Sequence, residues 1–267
     1  MGVHRGLRCG VHGPRIRSVP RVSEVQHAVI LIAAGLVAGA VNAIAGGGTL
    51  ISFPTLVWLG RDPVLANATN AVALWPGSLA GAWGFRRELR GSGGWIRLLL
   101  LPTLLGGAFG AWLLLHTPVR TFRAIVPFLI LGAALLLAAR GRIRSLLPKR
   151  SSLGVAIALQ FAIGVYVGYF GAGTGILVLT TLGLLGLDDI HQMNGIKGIL
   201  TAAGNGVAAA YFLLSGAVLW PDVVWVAIGA VAGGYASAGV ARWLGRAFVE
   251  RTVVVVAFAV ALALLLR

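Results

Sequence analysis

Two stretches of this chain, residues 25–60 and 151–187, run for 36 and 37 residues without a single Lys, Arg, Asp or Glu. Wound as straight helices, each would reach about 55 Å, nearly twice a hydrocarbon core of about 30 Å. Each is interrupted by small residues, Ala45-Gly46-Gly47-Gly48-Thr49 in the first and Gly171-Ala172-Gly173-Thr174-Gly175 in the second. The spacing predicts a helix that breaks at the glycines and resumes as a shorter segment, about 50–59 and 176–185. Broken backbone at membrane depth is tolerated only where it is buried in protein or lines a cavity. Six more charge-free runs, 63–85, 98–119, 124–139, 198–221, 223–241 and 252–266, complete a set of eight.

Composition excludes the alternatives to a membrane chain. Only 11% of residues are charged and 58% are hydrophobic, where a soluble domain carries about 25% charged residues. That rules out a soluble globule, a disordered chain and a nucleic-acid-binding domain, despite a formal net charge of +15. The cations cluster between the apolar runs, as residues facing cytoplasm and anionic headgroups do. The lone Cys9 excludes a disulfide scaffold and a zinc cluster. Residues 1–26 read as a basic, disordered cytoplasmic tail. The run from Ala28 continues far beyond a signal-peptide core, so it reads as a first membrane segment.

The two long runs match one another. A shift of 126 pairs Gly47 with Gly173, Thr55 with Thr181, Leu56 with Leu182 and Leu59 with Leu185. It also pairs Gly60 with Gly186, Asp62 with Asp188, Gly107 with Gly233, Arg120 with Arg246 and Phe122 with Phe248. The expected fold is all-α and polytopic, with two tandem repeats of about four spans, each holding one Gly-interrupted segment. The repeats cover 27–139 and 153–267, with a basic linker at 140–152. If each broken segment makes one net crossing, both termini share a face with four crossings per half. If the short segments turn back, each half has an odd count and the repeats are inverted. The linker, with five cations and no acid, marks the cytoplasmic side, and the basic tail is expected to share it.

Paired interrupted segments are the sequence-level pointer to a transporter site between two repeats. A glycine cluster in a membrane helix also serves close helix packing; two at matching positions favour a cavity. Lys197 is the one cation inside an apolar run. A charge there costs at least about 2.5–3.5 kcal/mol to insert, so it faces a cavity or snorkels to Asp188, Asp189 and the interface. Half-helix N termini attract anions through backbone N–H groups. Thr49 and Thr174 follow the breaks; Asn67, Thr69, Asn70 and Asn194 lie near the start of the next helix. The candidate substrate-binding set is therefore Gly46, Gly47, Gly48, Thr49, Asn67, Thr69, Asn70, Gly171, Gly173, Thr174, Gly175, Asn194 and Lys197. An N-cap role competes for Asn67 and Thr69, and helix bridging for Asn42 and Asn205.

The ordered set Gly35–Gly39, Gly46-Gly47-Gly48-Thr49, Pro54, Leu59-Gly60, Ala66 and Thr69 resembles the sulfite exporter TauE/SafE family. It recurs in weaker form at Gly164–Gly168, Gly171–Gly175, Leu185-Gly186 and Met193–Lys197, with Gly106–Ala111 and Ala232–Ala236 also similar. The resemblance covers about residues 28–266. It implies a bacterial inner-membrane permease of about eight spans for small sulfur-containing or carboxylated anions such as sulfite and organosulfonates. The second half departs from the pattern, since Gly173-Thr174-Gly175 replaces a triple glycine and Thr180 stands where Pro54 would recur.

Enzyme chemistry finds little support in the residues. His116 and His191 sit at span ends with no ligand cluster, so no metal site is expected. Gly77–Gly81 lacks the spacing of a nucleophile elbow, and Gly46–Thr49 lacks the Lys of a phosphate-binding loop. The expectation is a cofactor-free inner-membrane carrier whose partners are a small anion and the bilayer, not nucleic acid. An importer of another small anion or a non-transporting assembly partner remain the competing readings, and homo-oligomerisation is left open.

Overall fold

The structure, a computed structural model, describes residues 23–84, 89, 91–146, 152–244 and 246–265. The tail at 1–22 and the linker residues 147–151 lie outside the described residues. The described chain is helical throughout: α1 (Glu24–Ala45), α2 (Thr49–Trp58), α3 (Pro63–Gly84), α4 (Gly93–His116), α5 (Val119–Leu146), α6 (Leu153–Tyr169), α7 (Thr174–Leu184), α8 (Ile190–Leu214), α9 (Trp220–Leu244) and α10 (Arg246–Leu265). Four segments meet both the length and the hydropathy of a membrane span: Glu24–Asn42, Gly93–His116, Val119–Ala139 and Ile190–Leu214. Large apolar side chains stay exposed on the outside, among them Phe128, Val231, Val255 and Leu262, as lipid-facing surfaces require.

Local chemistry sets the element boundaries. Ser23 and Gln26 form a reciprocal capping box that starts α1. The short helices begin and end close to the expected positions. Both are closed by the same three backbone bonds. In α2 these run from Leu59, Gly60 and Arg61 to Thr55, Val57 and Leu56; in α7, from Leu185, Gly186 and Leu187 to Thr181, Gly183 and Leu182. Gly60 and Gly186 take the left-handed conformation that this closure demands.

Helix direction follows from which glycines meet which carbonyls. On α1, Gly35 abuts Val226 and Gly39 abuts Ala230, so α1 and α9 run parallel. On α4, Gly106 abuts Phe161 and Gly110 abuts Val165, so α4 and α6 are parallel too. Gly206 meets Trp75 while Gly198 meets Ala82, so α3 and α8 are antiparallel. The α1–α9 and α4–α6 crossings have almost no side chain between the backbones, which is how helices associate where lipid removes the hydrophobic drive.

The short helices turn back. Gly48 packs on Ala38 and Asn42 of α1, and Arg61, just past α2, reaches His27 in the first turn of α1. Thus α1 enters from one face, α2 returns toward it, and α3 starts there. The antiparallel α8 starts at the opposite face, as does α4, and so does α6 alongside α4. The two halves enter the bundle from opposite faces, which selects the odd-count alternative. Among the described residues each half holds five helices, of which the first two form a hairpin with no net crossing. Among the described residues α1 begins at the face opposite the α5–α6 junction; the basic tail and the linker expected to share the cytoplasmic side lie outside the described residues.

Candidate functional site

The two glycine breaks meet. Gly46 ends α1 and Gly173 precedes α7, both with positive φ (75° and 71°), a conformation a side chain would strain. The Gly173 N–H donates to the Gly46 carbonyl at 3.3 Å, so backbone from one half touches backbone from the other. Gly47, Gly48 and Gly173 are buried there, while Gly46, Gly171 and Gly175 are partly so. Neither α2 nor α7 has a side chain capping its N terminus. In α2 the N–H groups of Leu50 and Ile51 already donate to the Gly47 and Gly48 carbonyls, whereas the start of α7 presents the positive end of its helix dipole inside the bundle.

The polar residues of the first half are tied to one another. Asn70 donates to Thr49 Oγ1 at 3.4 Å and accepts from the Ser52 hydroxyl, which also reaches the Gly48 carbonyl at 3.2 Å. Asn67 donates to the Tyr169 carbonyl at the end of α6, at 2.9 Å, yet its Oδ1 is buried without a hydrogen-bond partner among the described residues. Neither Asn67 nor Thr69 caps α3; Asp62 does, accepting from Val64 N and Leu65 N. Thr69 is fully buried and accepts from Leu219 N at 3.0 Å, pinning the α8–α9 connection. The structure thus gathers Thr49, Asn67 and Asn70 near the breaks and sets Thr69 aside.

In the second half the chemistry is cationic. Lys197 lays its stem along the start of α7, where a Cβ on Gly175 would lie 3.3 Å from its Cδ. Its ammonium donates to Asn194 Oδ1 at 3.0 Å, and Asn194 donates to the Ile190 carbonyl at 2.8 Å. Asp189, one of the acids expected to draw this lysine outward, caps α8 by accepting from His191 N. Thr174 is buried and donates to the Gly171 carbonyl at 3.3 Å. Asn205 lies by the same break, its Oδ1 3.6 Å from where a Cβ on Gly171 would sit.

A charged cluster escapes sequence reasoning altogether. Asp222, in the first turn of α9, is fully buried. Arg61 grips it with two bonds, Nε to Oδ2 at 2.6 Å and Nη2 to Oδ1 at 2.9 Å. His27 Nε2 stands 3.0 Å from the same Oδ1 and 3.1 Å from Arg61 Nη2. The buried carboxylate is therefore Asp222, whereas Asp188 and Asp189 are exposed. An acid in a first helical turn ordinarily reads as a dipole partner; only the α1–α9 crossing buries this one. Among the described residues no group of three metal-ligating side chains occurs.

The chain is similar to a probable membrane transporter protein of Haemophilus influenzae, 30% identical over 232 residues that cover 86% of this chain and 91% of that one. It is 26% identical over 242 residues to the probable membrane transporter protein ORF9 of a Sinorhizobium species, covering 88% and 91% of the two chains. It is 26% identical over 230 residues to the probable membrane transporter protein YfcA of Escherichia coli, covering 85% of each. No solved structure matches. The family model for the sulfite exporter TauE/SafE matches residues 31–264, nearly the whole described helical body, and the chain belongs to that family of membrane transporters.

Proposed function

We propose that this protein carries small oxyanions, sulfite and organosulfonates first among them, across the bacterial inner membrane without catalysing a reaction. One observation carries the reading: inside the bundle, the Lys197 stem packs on the uncapped N terminus of α7, with its ammonium on Asn194. A cation and the positive end of a helix then act on one region, and that potential favours a small anion there. A spherical or elongated anion would use the same potential; sulfur oxyanions enter from the family description.

In this reading the two halves are copies that entered the membrane in opposite senses, with the substrate held where their returning hairpins meet. The Gly173–Gly46 bond holds the hairpins together, and movement of one half against the other parts them. Asn67, Asn70 and Thr49 form the quieter, neutral side of the site.

The test is counterflow of radiolabelled sulfite, sulfoacetate and a small carboxylate in proteoliposomes, comparing the wild type with Lys197→Gln and Lys197→Arg. Lys197→Gln should reconstitute normally and lose at least about tenfold in transport, as removal of a charge-assisted bond implies. Lys197→Arg should recover part of it, because a planar fork presents its donors differently from a point charge. Full activity of Lys197→Gln would refute the site.

A further inference from the structure

One face of α8 carries a polar stripe that continues past Lys197. Asn194, Lys197, Thr201 and Asn205 are spaced by three, four and four residues, which places them on one side of a helix. The ends of the stripe are located: Lys197 lies against Gly175 and Asn205 against Gly171. Thr201 falls between them in the helical spacing. Its hydroxyl is buried and has no hydrogen-bond partner among the described residues. A buried, unpaired hydroxyl is costly and uncommon in folded proteins. The shift of 126 places Trp75 where Thr201 stands and Leu79 where Asn205 stands, so the first half has no such stripe.

We propose that Thr201 and Asn205 are oxyanion-coordinating, selectivity-determining residues, extending the Lys197 site along the α6–α7 break. This rests on the anion-site reading above. Lys197 supplies charge, while the Thr201 hydroxyl and the Asn205 amide supply directional donors about 6 Å of helix rise apart. Directional donors discriminate: an anion with several oxygens, such as a sulfonate or sulfite, satisfies more of them than a halide does. An unpaired donor left by the wrong ligand is what makes such a site selective.

The experiment measures thermal stabilisation of the purified full-length protein by sulfite, sulfoacetate and chloride, alongside sulfite counterflow. Variants are Thr201→Val, Thr201→Ser, Asn205→Leu and Lys197→Gln. Thr201→Val removes a hydroxyl with no hydrogen-bond partner among the described residues, so its melting point without added anion should stay level or rise. Its sulfite affinity should nevertheless fall about tenfold or more, with chloride little changed, and Thr201→Ser should stay within about threefold of wild type. Asn205→Leu should narrow the preference for sulfoacetate over chloride. Unchanged sulfite affinity in Thr201→Val, with loss in Lys197→Gln, overturns the role of Thr201 and leaves the lysine site standing. No stabilisation of the wild type by sulfite or sulfoacetate at millimolar concentration overturns the anion site itself, and the stripe with it. A fall in the anion-free melting point of Thr201→Val matching its loss of affinity makes the residue structural and refutes the proposal.

Discussion

Replacing Gly233 by Ala should unfold this protein far more readily than the same change at Gly132. A Cβ on Gly233 would lie 2.7 Å from the Leu36 carbonyl carbon, inside any distance that real Cβ atoms adopt, whereas one on Gly132 meets nothing within 4 Å. Relief requires α9 to withdraw from α1 by about 1 Å, since ordinary carbon contact lies near 3.5–4.0 Å. The obstructing atoms are backbone, so no rotamer change can yield. The opposing row shares the withdrawal: Gly35 and Gly39 press on Val226 and Ala230, and Gly229 on Ile32 and Leu36. Overpacking costs about 1–3 kcal/mol, and loosening a whole crossing places Gly233→Ala at or above the top of that range. Gly132→Ala should instead be neutral or stabilising by up to about 1 kcal/mol, from helix propensity alone. Thermal unfolding in detergent should separate the two midpoints by several degrees. Gly168→Ala, which meets Ala111 N at 2.8 Å across α4–α6, should behave like Gly233→Ala. Equal midpoints for Gly233→Ala and Gly132→Ala would show that the α1–α9 contact is not as close as described.

Three further expectations follow from the same geometry. Arg61→Asp or Asp222→Arg alone should destabilise by about 2–4 kcal/mol, the lower part of the buried-pair range because the Arg61 side chain is 37% exposed; the double exchange should recover part of the loss, and no recovery in a double-mutant cycle would mean the two do not act as a pair. Reporters fused after residue 265 and inserted between 146 and 152 should appear on opposite sides of the membrane, and a shared side would contradict the returning hairpins. Transport should follow an imposed membrane potential, worth about 2.3 kcal/mol per charge per 100 mV, because the buried carboxylate Asp222 is held by Arg61 at the bundle end rather than beside Lys197; flux that tracks only a pH gradient would overturn this.

Much of this molecule was legible one segment at a time. Charge-free runs located the helices, because insertion in lipid is decided by local hydropathy and the sequence expresses it directly. Glycine clusters located the breaks to within a few residues, because left-handed backbone is nearly closed to other residues. Lys197 stood out because a cation in an apolar run has few places to go.

Direction and long-range pairing were not legible. A glycine break permits the next helix to continue or to return, and hydropathy is the same either way; the packing of Gly48 on Ala38 made α2 return. That one choice reversed the second half relative to the first. Asp222 and Arg61 stand 161 residues apart, each unremarkable in its own neighbourhood, and meet only because α1 and α9 cross at glycines. The stripe of Thr201 and Asn205 is visible as helical spacing, but it gains meaning from what it faces. Local composition determines where this chain lies in a bilayer; the side-chain-free crossings of α1 with α9 and α4 with α6 determine which buried polar groups face one another.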